Sequence, residues 1–280
     1  MAVPWYEWRN IRNRLIIFGK AVQGISPYRV LIEPDRSKCP SGYCHFSKRE
    51  IAVNPSLFPA LLPKDQYQLT KAILVHEAGH RRFTTPNKLS PLVHQVANIL
   101  EDERIERQMS DEFAGVRWLV RKLSHTLYEE SKPIEEKSDS PGEVVAYFLQ
   151  LRWAKRIGQP VKGGLSLRNR KLWQKVEPLV YEAWQAETSA TVEKKAAEIV
   201  QILDLKEVEI PAWVKEILDK LGSIEGRRSE GDEAEKTRGG ACHGESGKES
   251  DEEPQPFDGE IPPNDSREGT GYRAIEPKPY

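Results

Sequence analysis

Two histidines one helical turn apart are the residues of this chain with the clearest capacity for chemistry. His76, Glu77 and His80 form the pattern His-Glu-x-x-His, and apolar residues before them recur at helical spacings. These spacings predict a helix from Lys64 to Phe83. On such a helix both imidazoles face one side and can bind one metal ion, while Glu77 can take a proton from a water that the metal activates. The pattern alone also fits a surface helix with two solvated histidines.

A catalytic zinc ion needs a third protein ligand and keeps a fourth position open. A second helix is predicted over Leu92–Arg107, after a Ser-Pro pair that is typical of a helix start. Glu101 lies 25 residues after His76, which is far enough for one helix to end and the next to return antiparallel. At about 100° per residue, Asn98 and Glu101 face inward at the edge of the predicted core. Glu101 is therefore a candidate ligand, although its acidic neighbours also fit a solvated helix face.

Together, the His-Glu-x-x-His helix and the stretch from Asn98 to Glu106 resemble zinc metallopeptidases of the gluzincin type. The related proteins are metallopeptidase-like proteins associated with von Willebrand A domains and with cobaltochelatases. The resemblance covers roughly residues 51–123 and implies a zincin-like core around Zn²⁺. It implies two histidine ligands, a glutamate ligand and a glutamate general base: His76, His80, Glu101 and Glu77. It also implies a von Willebrand A or AAA+ ATPase partner.

Two features depart from the pattern of that family. Two arginines follow the second histidine, where the peptidases usually carry an apolar residue. Thermolysin-like enzymes place an aspartate four residues after the ligand glutamate, but Ile105 stands there relative to Glu101. Asp102 with Glu106 would fit that spacing instead. Glu101 is thus the predicted third ligand with Asp102 as the alternative, and Asp102 or Asn98 would orient a ligand.

The remaining segments predict an α+β fold that is predominantly helical. Apolar periodicity predicts one helix over Trp5–Gln23 and four or five more between Gly115 and Leu221. Two β-branched runs, Tyr28–Glu33 and Glu50–Asn54, predict a small β-sheet. Between them, Cys39–His45 is predicted as a loop with two free thiols, or as a second metal-binding cluster. With the resemblance, we expect a zincin-like core with an active-site helix, an antiparallel ligand helix and a C-terminal helical extension.

The last part of the chain differs in composition from the rest. Residues 223–280 contain 15 acidic and 8 basic residues among many glycines, serines and prolines. This composition predicts a disordered acidic tail or linker. Residues 1–222 would form the metallopeptidase domain with its helical extension, and their 34 basic and 28 acidic residues make them mildly basic.

Composition also limits the expected location and partners. No apolar run reaches the length of a membrane span, and the N-terminus lacks the pattern of an export signal. Three cysteines, an odd number, fit a reducing compartment, so we expect a cytoplasmic protein. Basic residues are not interleaved with aromatic residues in any run, so nucleic acid is not an expected partner.

The patterns predict a zinc-dependent metallopeptidase that hydrolyses peptide bonds in a peptide or protein substrate. The first alternative is a catalytically inactive, zinc-stabilised interaction module that works with a von Willebrand A or ATPase partner. A second alternative is a hydrolase that attacks another bond, because the motif activates water without dictating the bond.

Overall fold

The computed structural model describes residues 4–7, 9–206, 209–221 and 223–225. Eight α-helices make up most of this part of the chain, as the sequence predicts. Their bounds are α1 Arg9–Gln23, α2 Pro63–Phe83, α3 Pro91–Glu112, α4 Arg117–Glu130, α5 Gly142–Ile157, α6 Leu167–Trp184, α7 Ser189–Leu203 and α8 Ala212–Leu221. Short 3₁₀ turns at Trp5–Glu7 and Ala114–Val116 precede α1 and α4.

A small sheet lies beside these helices. Its strands are β1 Arg29–Ile32, β2 Gly42–His45, β3 Glu50–Val53 and β4 Ser223–Glu225, in the order β1-β3-β2-β4. β3 pairs parallel with β1 and antiparallel with β2, and β2 pairs parallel with β4. The two predicted strand segments are therefore neighbours in the sheet.

Two strands lie where the sequence predicted none. β2 occupies the segment predicted as a loop, because its residues pair with β3 from Gly42 opposite Val53 to His45 opposite Glu50. β4 lies at the start of the range predicted as a disordered tail. The rest of that range, 226–280, lies outside the described residues.

Helix α2 runs through the centre of the fold. Pro63 is its first residue, and Thr84 ends it by taking an extended conformation. From Ala72 to His80 every residue is buried, because α1, α3, α4, β2 and β3 all contact this helix. Burial on all sides means that each polar side chain on this stretch faces protein and needs a partner there.

Helix α3 begins where the Ser-Pro pair predicts, with Ser90 as the N-cap and Pro91 as the first residue. It extends to Glu112, five residues beyond the predicted end. Later residues of α2 contact earlier residues of α3, so the two helices are antiparallel, as expected. They approach closely at Gly79, where a Cβ would lie 3.2 Å from Met109 and 3.3 Å from Ile105.

None of the helices in the described part of the chain is both long enough and apolar enough to cross a lipid bilayer.

Candidate metal centre

The two histidines of α2 point their outer ring nitrogens at each other. His76 Nε2 and His80 Nε2 are 3.2 Å apart, and the rings meet edge to face. Both side chains are buried, at 2% and 3% exposure. The one-turn spacing read from the sequence thus brings two nitrogen donors to one point inside the protein.

Asp102 of α3 completes a group of three donors. Its Oδ1 lies 3.6 Å from His76 Nε2 and 3.4 Å from His80 Nε2. A tetrahedral metal ion with bonds of about 2.0–2.1 Å needs ligand atoms about 3.3–3.4 Å apart. The triangle of Nε2, Nε2 and Oδ1 has nearly those edges, so this buried group could hold a metal ion.

The opposite side of each imidazole is held by an acceptor. His76 Nδ1 lies 3.0 Å from a Glu106 carboxylate oxygen, which can only accept, so Nδ1 carries the proton. His80 Nδ1 lies 3.2 Å from the Thr84 hydroxyl, which itself donates to Glu101 at 2.6 Å. Because the only hydroxyl hydrogen of Thr84 is donated to Glu101, the hydroxyl oxygen must accept a hydrogen bond from His80 Nδ1. The hydrogen-bond network therefore holds a proton on Nδ1 of both rings, so that both Nε2 atoms would present lone pairs to a bound metal ion.

Behind the ligands lies a buried charge network. Three carboxylates from α3 face two guanidinium groups from α5: Asp102, Glu103 and Glu106 against Arg152 and Arg156. Arg152 is fully buried and donates to Asp102 at 3.0 Å and to Glu106 at 3.1 Å. One negative charge remains unbalanced, and Glu77 adds a second when it is ionised. A divalent cation would balance both.

The pKa values show how the metal-free protein relieves this excess charge. Burial opposes a charge on the His76 ring, but Asp102 and Glu106 outweigh burial and raise its pKa to about 9. Burial lowers the pKa of His80. Burial likewise disfavours the ionised form of Asp102, yet His76 and Arg152 lower its pKa to about 2. Without metal, the group therefore holds a proton on His76, which a metal ion would replace.

Glu77 is the buried carboxylate next to this group that has no partner. Neither carboxylate oxygen has a hydrogen-bond partner among the described residues, and burial raises the pKa of Glu77 to about 8. The side chain lies against β2, where a Cβ on Gly42 would come within 2.9 Å of Glu77 Oε1. An unsatisfied buried carboxylate is costly and points to a missing ligand or a reactive role.

The predicted third ligand, Glu101, is not part of this group. Its carboxylate accepts from the Arg104 guanidinium at 2.8 and 2.6 Å and from the Thr84 hydroxyl. The acid that the structure places beside both histidines is Asp102, the alternative that the sequence left open. One residue along a helix turns the side-chain direction by about 100°. The Glu101 side chain therefore points toward the C-terminal end of α2, and the Asp102 side chain points toward the histidine nitrogens.

Comparison with protein-family models, with curated proteins and with solved structures finds no match. What the site could do follows from its own geometry.

Three residues that orient the donors had no assigned role in the sequence. Glu106 lies four residues after Asp102, the spacing noted above, and it holds His76. Thr84 lies four residues after His80, so helical periodicity could have suggested it. Arg152 lies 50 residues from Asp102, and no local pattern could have identified it. Asn98, a predicted orienting residue, has a buried amide oxygen without a partner among the described residues.

Proposed function

We propose that this chain is a zinc-dependent metallopeptidase with a zincin-like core, acting on peptide bonds of a peptide or protein substrate. One observation carries the proposal. The Glu77 carboxylate has no hydrogen-bond partner among the described residues, and it lies beside three metal-donor atoms whose separations fit a tetrahedral site. Two imidazoles and one carboxylate are a typical catalytic zinc set, because they leave a fourth position open. Aspartate as the third ligand departs from the gluzincin pattern.

Metal binding and proton transfer would be carried out by different residues. His76, His80 and Asp102 would hold the ion, which supplies Lewis acidity and lowers the pKa of water toward neutrality. The Glu77 carboxylate would accept a proton from the attacking water and pass it to the leaving amine nitrogen. Its high pKa in the metal-free protein reflects burial, and a nearby dication would lower the pKa again.

The surrounding groups keep these donors in place. Glu106 fixes the tautomer of His76, and the pair of Thr84 and Glu101 fixes that of His80. Arg152 holds the other oxygen of Asp102, which leaves Oδ1 directed at the histidines. Partners of this kind commonly change metal affinity about 10- to 100-fold when they are removed.

The decisive experiment combines metal analysis with substitution of the general base. The purified protein should contain about one zinc ion per chain, and His76→Ala should lose it. Glu77→Gln should keep the zinc and lower cleavage of casein or a peptide library by about 10²- to 10⁴-fold. Glu143→Gln, which changes a buried carboxylate on α5, is the matched control and should keep full activity.

Other outcomes would contradict the proposal. Iron in place of zinc would favour oxidative chemistry, because two histidines and one carboxylate also suit Fe(II). Equal cleavage by the natural protein and Glu77→Gln would remove Glu77 from the mechanism.

Burial of the site favours a second candidate, a metal-stabilised interaction module without turnover. His76, Glu77, His80 and Asp102 are each at most 4% exposed, so a substrate would reach them only if covering segments moved. A metal ion that only stabilises the fold needs no access for a substrate. In this case the metal would stabilise the fold for a partner such as a von Willebrand A domain or an AAA+ ATPase. Zinc binding with no cleavage by either the natural protein or Glu77→Gln would favour it.

A further inference from the structure

We propose that the surface around Trp118 is a docking groove for an acidic peptide segment of a partner protein. Trp118 on α4 is 48% exposed, which is unusual for so large an apolar side chain. It lies between two hollows of about 580 and 420 Å³, and both hollows are also lined by Arg121. The two hollows and Trp118 are together called the Trp118 groove.

The larger hollow is lined by arginines from three helices: Arg107 of α3, Arg117 and Arg121 of α4, and Arg156 of α5. Arg121 is exposed and has no hydrogen bond or ion pair within the part of the chain that the structure describes. Among the described residues, Arg117 pairs with Asp111 at 3.9 Å, and both side chains lie largely in solvent. This side of the groove therefore offers guanidinium groups that are free for carboxylates, which they bind in bidentate fashion.

Two further arginines form a fixed edge of the same hollow. Arg107 donates to the carbonyl of Trp184 at 2.9 Å, and Arg156 is held by Glu103 and Glu106. Because Arg107 is already positioned, a ligand would lose less conformational entropy in binding it, whereas Arg156 is paired with the two glutamates and only shapes this edge.

The smaller hollow on the other side of Trp118 has a mostly apolar lining surface. Leu61 and Ile157 line it with the indole ring, while Lys122, paired with Asp65, stands among its lining residues. An apolar side chain would fit here next to a carboxylate over Arg121. Exposed tryptophan and arginine side chains are the residue types that contribute most to protein interfaces.

The arrangement of charges favours a peptide over a nucleic acid. Asp65 lines one hollow and Asp111 the other, so a continuous phosphate backbone along the groove would meet a carboxylate in each. A peptide carries separate carboxylates and apolar side chains. These can match the separate arginines and apolar residues that line the groove. Charge complementarity with the two loosely engaged arginines, Arg117 and Arg121, therefore points to an acidic segment with one large apolar side chain.

The test uses the full chain and a fluorescein-labelled glutamate-rich peptide with one central phenylalanine, followed by fluorescence anisotropy. We expect saturable binding that weakens about tenfold or more in Arg121→Glu and in Trp118→Ala. Exposed residues on α6 give matched controls: Arg168→Glu and Leu167→Ala should bind as the natural protein does. Thermal melting of every variant shows that a loss of binding is not a loss of fold.

Peptide controls separate the two halves of the groove. Glutamine in place of glutamate should abolish binding, and alanine in place of phenylalanine should weaken it. Binding should also fall as salt rises from about 0.1 to 1 M, because screening shortens the range of charge attraction.

Unchanged affinity in both groove variants would overturn the proposal. Stronger binding of a thymidine oligonucleotide or inorganic phosphate than of the peptide would also overturn it, in favour of an anion or nucleic-acid site. The measurement is made on chelator-treated and zinc-loaded protein in parallel. Docking requires no metal, so failure of the metal proposal would leave this result standing.

Discussion

The Thr84 hydroxyl determines which nitrogen of the His80 ring carries the proton. It has one hydrogen, which Glu101 accepts, so its oxygen accepts from His80 Nδ1. Replacing the hydroxyl by a methyl group of similar shape removes that acceptor and releases the ring tautomer.

Thr84→Val should therefore weaken zinc binding about 10- to 100-fold, and Thr84→Ser should restore most of the affinity. Competition with a chromophoric zinc chelator measures this. Thr70→Val removes another buried hydroxyl on α2, one that donates only to the backbone at Gln66. If Thr70→Val weakened zinc binding as much as Thr84→Val did, the tautomer argument would be wrong.

The identity of the third ligand gives a second prediction at this scale. Asp102→Asn should weaken zinc binding by about 100-fold or more, because it removes a charged ligand from a buried site. Glu101→Gln acts only through Thr84 and should cost about tenfold. The same chelator competition ranks the two variants.

Loss of the Glu101–Arg104 pair will also lower the stability of Glu101→Gln by about 3–5 kcal/mol. The thermal stability of each zinc-free variant is therefore measured alongside its zinc titration. If Glu101→Gln lost more zinc affinity than Asp102→Asn after that correction, the ligand would be Glu101.

At the scale of elements, contact between β2 and α2 confines Glu77. A Cβ at Gly42 would lie 2.7 Å from Ile73 Cγ2 and 2.9 Å from Glu77 Oε1, closer than real Cβ atoms lie. The strand can approach the helix this closely only because residue 42 has no side chain.

Gly42→Ala should displace the Glu77 carboxylate and reduce peptide cleavage by about tenfold or more, while zinc stays bound. Steady-state cleavage and metal content measured on the same sample separate the two effects. Gly115→Ala is the control, since nothing lies within 4 Å of a Cβ there. Full activity in Gly42→Ala would show that the strand does not position Glu77.

The sequence predicted those elements that depend on local signals. Helical spacing and the Ser-Pro pair are local, and they located α2, the turn and the start of α3. The choice between Glu101 and Asp102 depends on how two helices pack at Gly79, which is a long-range property. The strand β2 was not predicted because its extended conformation depends on pairing with β3 more than on the types of its own residues.

At the scale of the molecule, the buried site should make stability depend on pH in the metal-free protein. His76 has a folded pKa of about 9 against a usual 6.5, so its contribution is complete below 6.5 and is lost as pH rises to 9. Glu77, with a pKa raised from 4.5 to about 8, acts in the same direction between those values. Asp102, with a lowered pKa, loses its contribution only below pH 3.8.

Urea unfolding with a chelator present should therefore show the free energy of unfolding falling by roughly 5 kcal/mol between pH 6.5 and 9, the sum of the two groups. Saturating zinc should remove most of this slope, because the ion replaces the proton, and should raise stability at every pH in the window. A metal-free protein that became more stable over this range would contradict the charge assignment of the site.

Anomalous diffraction from zinc-loaded crystals at the zinc absorption edge shows whether His76, His80 and Asp102 bind one zinc ion beside Glu77. We predict one strong peak about 2.0–2.2 Å from His76 Nε2, His80 Nε2 and an Asp102 carboxylate oxygen. No peak between these residues, or a peak bound by Glu101 and not by Asp102, would contradict it.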